Sequence, residues 1–330
     1  DVQNNVIVVS GWKKSNKQMI KLVEDQVIPE NEGNDYASML NECIVDLDAP
    51  DEPLETFVYI GNDERGKRCS VITRGEYSCI VASAKTKKSF CKSLITAAYI
   101  GGNTSTFSSH IQGDRKTEGY IIDLDTEQGT YYAKKTFSRV EKMVGNRYKN
   151  YIPIATRSKS VQQRLGLIEW LIYKSPYAGN IDLLLVDGIA DLVYNTNDIE
   201  EGAKVAEMML QWTSEGLHIC NVIHKAGNND KARGHLGTAV TIKAESIIFM
   251  DRLVDEQGNL LEKNTVKVRC GYVRGIDFED FYLTVNEQGL PFTHTDQRDN
   301  VFKTVGEVKE KEIIPTLSAK EAFGDDDIPF

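Results

Sequence analysis

The chain has no run approaching the ~18 to 20 uncharged apolar residues that a membrane span requires, so no membrane partner is expected. Its amino end, DVQNNVIVVSGWKK, lacks both a basic leader region and a small-residue cleavage site, and the expected location is cytoplasmic. That end begins at Asp1, which points to a trimmed product or one piece of a longer polyprotein. No CxxC pair occurs among the six cysteines (Cys43, Cys69, Cys79, Cys91, Cys220 and Cys270). Several of them lie in apolar runs, the pattern of reduced, buried thiols rather than of a disulfide frame or zinc site. Positive charge is outnumbered, 39 Lys and Arg against 49 Asp and Glu, for a net charge of −10. Such a chain repels phosphate as a whole, so nucleic acid must be met by a local basic surface.

What is present is enough for a large core. Over 330 residues, 41% are hydrophobic and 27% charged, near the averages of globular proteins, which excludes global disorder and coiled coil. The acid- and proline-rich segment DLDAPDEPLE at 46–55 reads as a linker. Residues 1–60 are therefore taken as an amino-terminal segment, 61–300 as the main domain and 301–330 as a flexible acidic tail. In the main domain apolar runs alternate with helical stretches: strands near 77–82, 119–124, 151–155, 181–186 and 217–223, helices near 88–99, 132–144, 161–173 and 200–215. That alternation predicts an α/β fold with a mainly parallel sheet flanked by helices. The runs 244–250, 265–270 and 278–285 follow without long helices between them and predict an antiparallel carboxyl-terminal edge.

The first strand-to-helix junction reads Ala82-Ser83-Ala84-Lys85-Thr86-Lys87-Lys88-Ser89. Backbone N–H groups of residues 84–89 at a helix N-terminus, with Lys88 for the phosphates and the Ser89 hydroxyl for Mg²⁺, would make a nucleotide-binding loop. The glycines of GxxxxGK[ST] are replaced by Ala82 and Lys87, and the alternative is a lysine-rich surface turn. Two further strands deliver acids to the same sheet edge: Glu127, able to orient an attacking water, and Asp187, able to hold a metal's water shell. The alternative for each is a solvated strand-end acid.

Together these motifs resemble the RecA-like P-loop ATPases, over about residues 72–285, and within them the RepA-type hexameric helicase and KaiC-like branch. DTEQ at 125–128 is similar to that branch's acidic motif, LLLVDGIADL at 183–192 to its Walker B strand, and VIHKAGNNDKARGHLGTAV at 222–240 to its sensor strand and following loop. The resemblance implies ATP and Mg²⁺ as cofactors, assembly as a homo-oligomeric ring or filament with a hexamer favoured, and single-stranded DNA as partner. It implies a DNA helicase or motor ATPase of replication or recombination, with a recombination mediator or a weakly hydrolysing nucleotide-binding loader as the alternative.

By the same resemblance His224 stands at the γ-phosphate sensor, or else is a hydrogen-bonded structural histidine. Lys225, Lys231 and Arg233 lie in the loop that faces DNA, or else form a solvated surface loop. Arg274, with Arg269 second, is the candidate to reach a neighbouring subunit's nucleotide as an arginine finger, or else an edge-strand charge that discourages sheet association. From residue 304 onward seven acids face three lysines. The tail ends in Asp325-Asp326-Asp327-Ile328-Pro329-Phe330, which resembles the terminal tip of bacterial single-stranded-DNA-binding proteins and implies docking to a replication or repair protein in a bacterial or phage setting.

Overall fold

The computed structural model describes residues 36–51, 53, 55–101, 107–114, 118–227 and 230–295. The tail tip, Asp325–Phe330, lies outside the described residues. The chain divides into two units, 1–53 and 54–330. The first contributes one described helix, α1 (Tyr36–Cys43), none of whose residues is buried.

The second unit opens with β1 (Thr56–Asn62) and β2 (Arg68–Thr73), continues into β3 (Tyr77–Ala82) and α2 (Lys88–Ile100), and reaches β4 (Ile111–Gln112). Strands and helices then alternate: β5 (Tyr120–Asp125), α3 (Thr130–Val144), β6 (Tyr151–Ala155), α4 (Val161–Tyr173), β7 (Ile181–Asp187), α5 (Ile199–Thr213), β8 (His218–His224) and α6 (Gly234–Lys243). Four strands close it: β9 (Ser246–Arg252), β10 (Thr265–Val273), β11 (Phe281–Val285) and β12 (Pro291–His294).

Nine strands form one sheet in the order β12-β11-β10-β9-β3-β8-β7-β5-β6. From β9 to β6 every pairing is parallel, and from β9 to β12 every pairing is antiparallel. This is the expected α/β architecture of a mainly parallel sheet flanked by helices, with an antiparallel carboxyl-terminal edge. A separate antiparallel sheet, β2-β1-β4, was not foreseen, nor was β12.

Burial explains the pattern. Every residue of β3 and β7 is buried, as strands covered by helices on both faces must be. One apolar layer joins the sheet to α2, α3 and the small sheet, through Leu94, Ile95, Phe137, Phe57 and Ile72. The other joins it to α4, α5 and α6, through Ile168, Met209, Trp212, Leu236 and Val240. Residues 91–100 of α2 are all buried, so its first turn is fixed in place directly after β3. Ser160 and Gln163 form a reciprocal capping box at the start of α4, and the Asp198 side chain accepts from the Glu201 N–H at the start of α5. Cys69, Cys79, Cys91 and Cys220 are buried, Cys270 is half-buried and Cys43 exposed, with no disulfide among the described residues.

Candidate functional site

Parallel strands with crossover helices bring all their carboxyl ends to one edge, and the switch in connection direction there opens a crevice for ligands. At that edge β3 runs into the turn 83–87 and then into α2. Lys85 and Lys87 both adopt left-handed backbone, φ 62° and 63°. Side chains reach that conformation at a cost of about 1 kcal/mol or more, and glycine reaches it freely. Two left-handed positions that a glycine would occupy without strain are thus held here by lysines, and of the two glycine positions in the motif only Lys87 is one of them. Thr86 is buried and ties the loop by donating its hydroxyl to the Ser83 carbonyl at 2.6 Å. Ala84 and Lys85 are exposed, while Lys87, Lys88 and Ser89 are half-buried.

The next residue, Lys88, opens α2. Its Nζ lies 3.3 Å from the Ser83 carbonyl oxygen and 3.3 Å from His224 Nδ1, at the end of β8. An ammonium has only protons to give, so Nδ1 accepts and the neutral imidazole carries its proton on Nε2. That nitrogen stands 3.4 Å from Glu127 Oε1. Lys88, His224 and Glu127 therefore form one chain of polar contacts spanning three elements. The hydrogen bond with His224 is the main cause holding the Glu127 carboxyl below the usual range, despite its burial. Burial lowers the Lys88 ammonium below the lysine range, and Glu127 and Asp187 only partly offset this. Charge can therefore be supplied at this edge, and Glu127 is kept ionised as a base or water-positioning group must be.

Asp187 ends β7 and is buried; Asp125 ends β5, fully buried and in direct register with it. Asp125 Oδ1 accepts the backbone N–H groups of Glu127 and Gln128, at 3.0 and 2.8 Å, and so sets the turn that presents Glu127. Asp125 Oδ2 and Asp187 Oδ2 are buried without a hydrogen-bond partner. Burial also raises the Asp125 carboxyl above its ordinary value. Two buried carboxylate oxygens without hydrogen-bond partners on paired strand ends, one of them ion-paired with Lys92, lie at the sheet edge where Lys88 and Ser89 begin α2, a donor set that fits a hard, oxygen-loving divalent cation. Among the described residues no group of three or more His, Cys, Asp or Glu side chains could hold a metal unaided, so such a cation would also need oxygens from a ligand.

Beneath the loop lies a pair of groups that the sequence did not bring forward. Lys92 is wholly buried, with Nζ 2.7 Å from Asp123 Oδ1 and, as an ion pair outside hydrogen-bond geometry, 3.1 Å from Asp187 Oδ2. Burial alone would lower its pKa, but the two carboxylates outweigh that and hold it above the lysine range. Arg139 of α3 donates to the Ser89 carbonyl and the Ser93 hydroxyl and stacks over Phe90, its guanidinium 3.7 Å from the ring centroid. Burial brings its pKa down to about 10. Both cations brace the first turns of α2 from below. Gly188, at φ 104°, follows Asp187, and a Cβ there would stand 2.3 Å from the Thr126 hydroxyl and 2.9 Å from Glu127 Cγ.

The other singled-out residues are more dispersed. Lys225 is almost fully buried, its ammonium 2.7 Å from both Asp230 and Asp251, so it pins the base of its loop instead of facing outward. Arg269 is bound to the same two acids. A backbone bridge between Lys225 and Ala232 closes the loop, and Lys231 and Arg233 stand exposed on it. Arg274 follows β10 at the opposite, amino-terminal edge of the parallel strands, where its backbone N–H meets the Glu245 carbonyl and its side chain pairs with Glu76. Within one chain it is remote from Lys88 and Glu127.

No helix among the described residues is long and apolar enough to cross a membrane. No protein-family model and no curated protein matches the chain. Among solved structures, a KaiC-like protein from the hyperthermophilic archaeon Pyrococcus horikoshii is similar over 74% of this chain and all of that one, at 12% identity and a TM-score of 0.49.

Proposed function

We propose that this chain is an ATPase that binds Mg·ATP at residues 83–89 and couples its hydrolysis to action on single-stranded DNA, as a helicase-type motor of replication or recombination. The observation that carries the reading is the Lys88–His224–Glu127 chain of contacts beside the paired carboxylates Asp125 and Asp187. In this reading the N–H groups at the start of α2 and the helix dipole receive the phosphates. Lys88 exchanges its contact with the Ser83 carbonyl for the phosphate oxygens, and Glu127 orients the attacking water. His224 reports on that exchange because it touches both. Ser89, Asp187 and Asp125 would hold Mg²⁺, which supplies charge neutralisation on the phosphates.

Lys231 and Arg233, exposed on their loop, would contact DNA phosphates without reading sequence. Arg274, exposed at the far sheet edge, would meet the nucleotide of a neighbouring subunit in a ring or filament, a hexamer being favoured. The tail tip Asp325–Phe330 would recruit a replication or repair protein. ATP turnover measured with and without an oligothymidylate tests the reading: the DNA should raise the rate, and Lys231→Ala with Arg233→Ala should abolish the increase. A rate indifferent to DNA in every oligomeric state would remove the motor from it.

A second reading, a nucleotide-binding loader or recombination mediator with weak hydrolysis, is favoured by Ala82 and Lys87 in the glycine positions. It forecasts tight binding, negligible turnover, and no biological effect of Glu127→Gln.

A further inference from the structure

A cavity of about 370 Å³ lies against the phosphate loop, lined by Lys85, Lys87, Arg252 and Lys263, with Glu262 as its one acid and Leu260 and Val266 among its walls. Four cations share a space the size of a small ligand. Arg252 donates to the Ala84 carbonyl at 2.7 Å, and Lys87 Nζ reaches the Asn264 side-chain oxygen at 3.5 Å and lies 5.7 Å from the Phe90 ring centroid. Burial, followed by repulsion from Lys263 and Arg252, lowers the Lys87 ammonium below the ordinary lysine range. Lys85 and Lys87 are also the two residues whose left-handed backbone a glycine would adopt without strain. Their side chains give the strained loop two charges on the cavity side, in addition to the Lys88 charge on the other.

The cavity's place in the sheet fixes which end of a nucleotide it would meet. In the sheet order, β3 stands between β8 and β9. Glu127, Asp187 and His224, which would surround the terminal phosphate, belong to the β5, β7 and β8 side. Arg252, Thr265 and Val266 belong to β9 and β10, on the other side of the loop. A nucleotide laid along this edge with its γ-phosphate at Glu127 therefore carries its nucleoside end toward the cavity. An ordinary purine or ribose subsite is apolar with a few polar groups; this one presents a concentration of positive charge.

We propose that the cavity is a second phosphate-binding subsite, which takes a phosphate group at the nucleoside end of the bound nucleotide. Charge-assisted hydrogen bonds from Lys263, Lys87 and Lys85 would bind it, with the Arg252 guanidinium held in place by Ala84. The phosphate can be covalently part of the nucleotide, on its ribose, or belong to a separate small anion bound beside it. The inference rests on the proposed ATP site, and the test separates the two.

Binding is measured by calorimetry for ATP, for ATP bearing an additional ribose 3′-phosphate, and for pyrophosphate added to ATP-saturated protein, with the wild type and Lys263→Ala. The additional phosphate should tighten binding about tenfold, as one charge-assisted contact would, and Lys263→Ala should erase the gain while leaving ATP affinity within about threefold. Pyrophosphate binding alongside ATP, lost in Lys263→Ala, would equally support the subsite and assign its phosphate to a separate molecule. Tight ATP binding with no gain from the 3′-phosphate and no pyrophosphate binding overturns the subsite alone, as does a gain that survives Lys263→Ala. Absence of ATP binding overturns both this inference and the proposed function.

Discussion

Replacing Lys92 by methionine tests the physical account of the site from beneath. Methionine keeps most of the unbranched aliphatic volume, so the change removes a charge more than it opens a cavity. Lys92 is wholly buried, and its ammonium faces Asp123 at 2.7 Å and Asp187 at 3.1 Å. Without it, Asp123 retains the Tyr151 hydroxyl at 2.7 Å, while Asp187 Oδ2 has no hydrogen-bond partner at all. Removing one partner of a buried ionic cluster costs about 3 to 5 kcal/mol, because the remaining charge is stranded in low dielectric. Stranded carboxylates relieve the cost by taking up protons, so in the variant their folded pKa values rise above the unfolded value near 4. Stability is then lost as pH rises through that raised range, and the deficit against wild type is full at pH 8 and smaller at pH 5. Urea denaturation of nucleotide-free protein at the two pH values measures it. A loss under about 1 kcal/mol at pH 8, or one equal at both pH values, would refute the reasoning.

Other consequences follow from single residues. Glu245 is buried and accepts the Thr73 hydroxyl at 2.6 Å, but its other oxygen has no partner, and burial raises its pKa to about 7. Because that lies above the unfolded value, the fold favours the protonated form. Stability should fall by roughly 3 kcal/mol as pH rises from about 4.5 through 7, and Glu245→Gln should flatten the profile in thermal denaturation. Gly188→Ala forces a Cβ against Thr126 and Glu127 at left-handed φ, so it should cost about 2 kcal/mol and at least tenfold in turnover. Lys225→Ala should destabilise the fold by about 1 to 3 kcal/mol in urea, since it frees Asp230 and Asp251 of their shared ammonium. Lys231→Ala, by contrast, should leave stability unchanged and lower the salt dependence of DNA binding by about one phosphate contact in a fluorescence titration.

The alternation of strands and helices was legible because the central strands are buried on both faces and so appear as continuous apolar runs, as in IDLLLVD. Lys88, Glu127 and Asp187 were legible because they stand at the ends of such runs. Lys92 was not, since a lysine one turn into a helix has the spacing of a solvated face. Only the position of Asp123, mid-strand and paired with the Lys92 ammonium, shows that it is inside. Asp125 was visible in DTEQ, but its register opposite Asp187 depends on which strands are neighbours. Lys225 and Lys231 look alike along the chain, as two charges of one loop; what separates them is Asp251, brought to Lys225 from another strand. In the sheet β2-β1-β4, β1 and β2 form a local hairpin that begins directly after the segment read as a linker, and β4 joins β1 across some fifty residues that include a long helix; β12 was missed because four residues beginning with Pro291 carry little strand signal.

The central claim is that Lys88, His224 and Glu127 serve one bound triphosphate. The most direct measurement compares ATP binding and ATP turnover in wild type, Glu127→Gln and Lys88→Ala. The account predicts that Glu127→Gln binds ATP as wild type does but turns it over about 10² to 10³ times more slowly, and that Lys88→Ala loses binding and turnover together. Undiminished turnover in Glu127→Gln, or ATP affinity unaffected by Lys88→Ala, would contradict it.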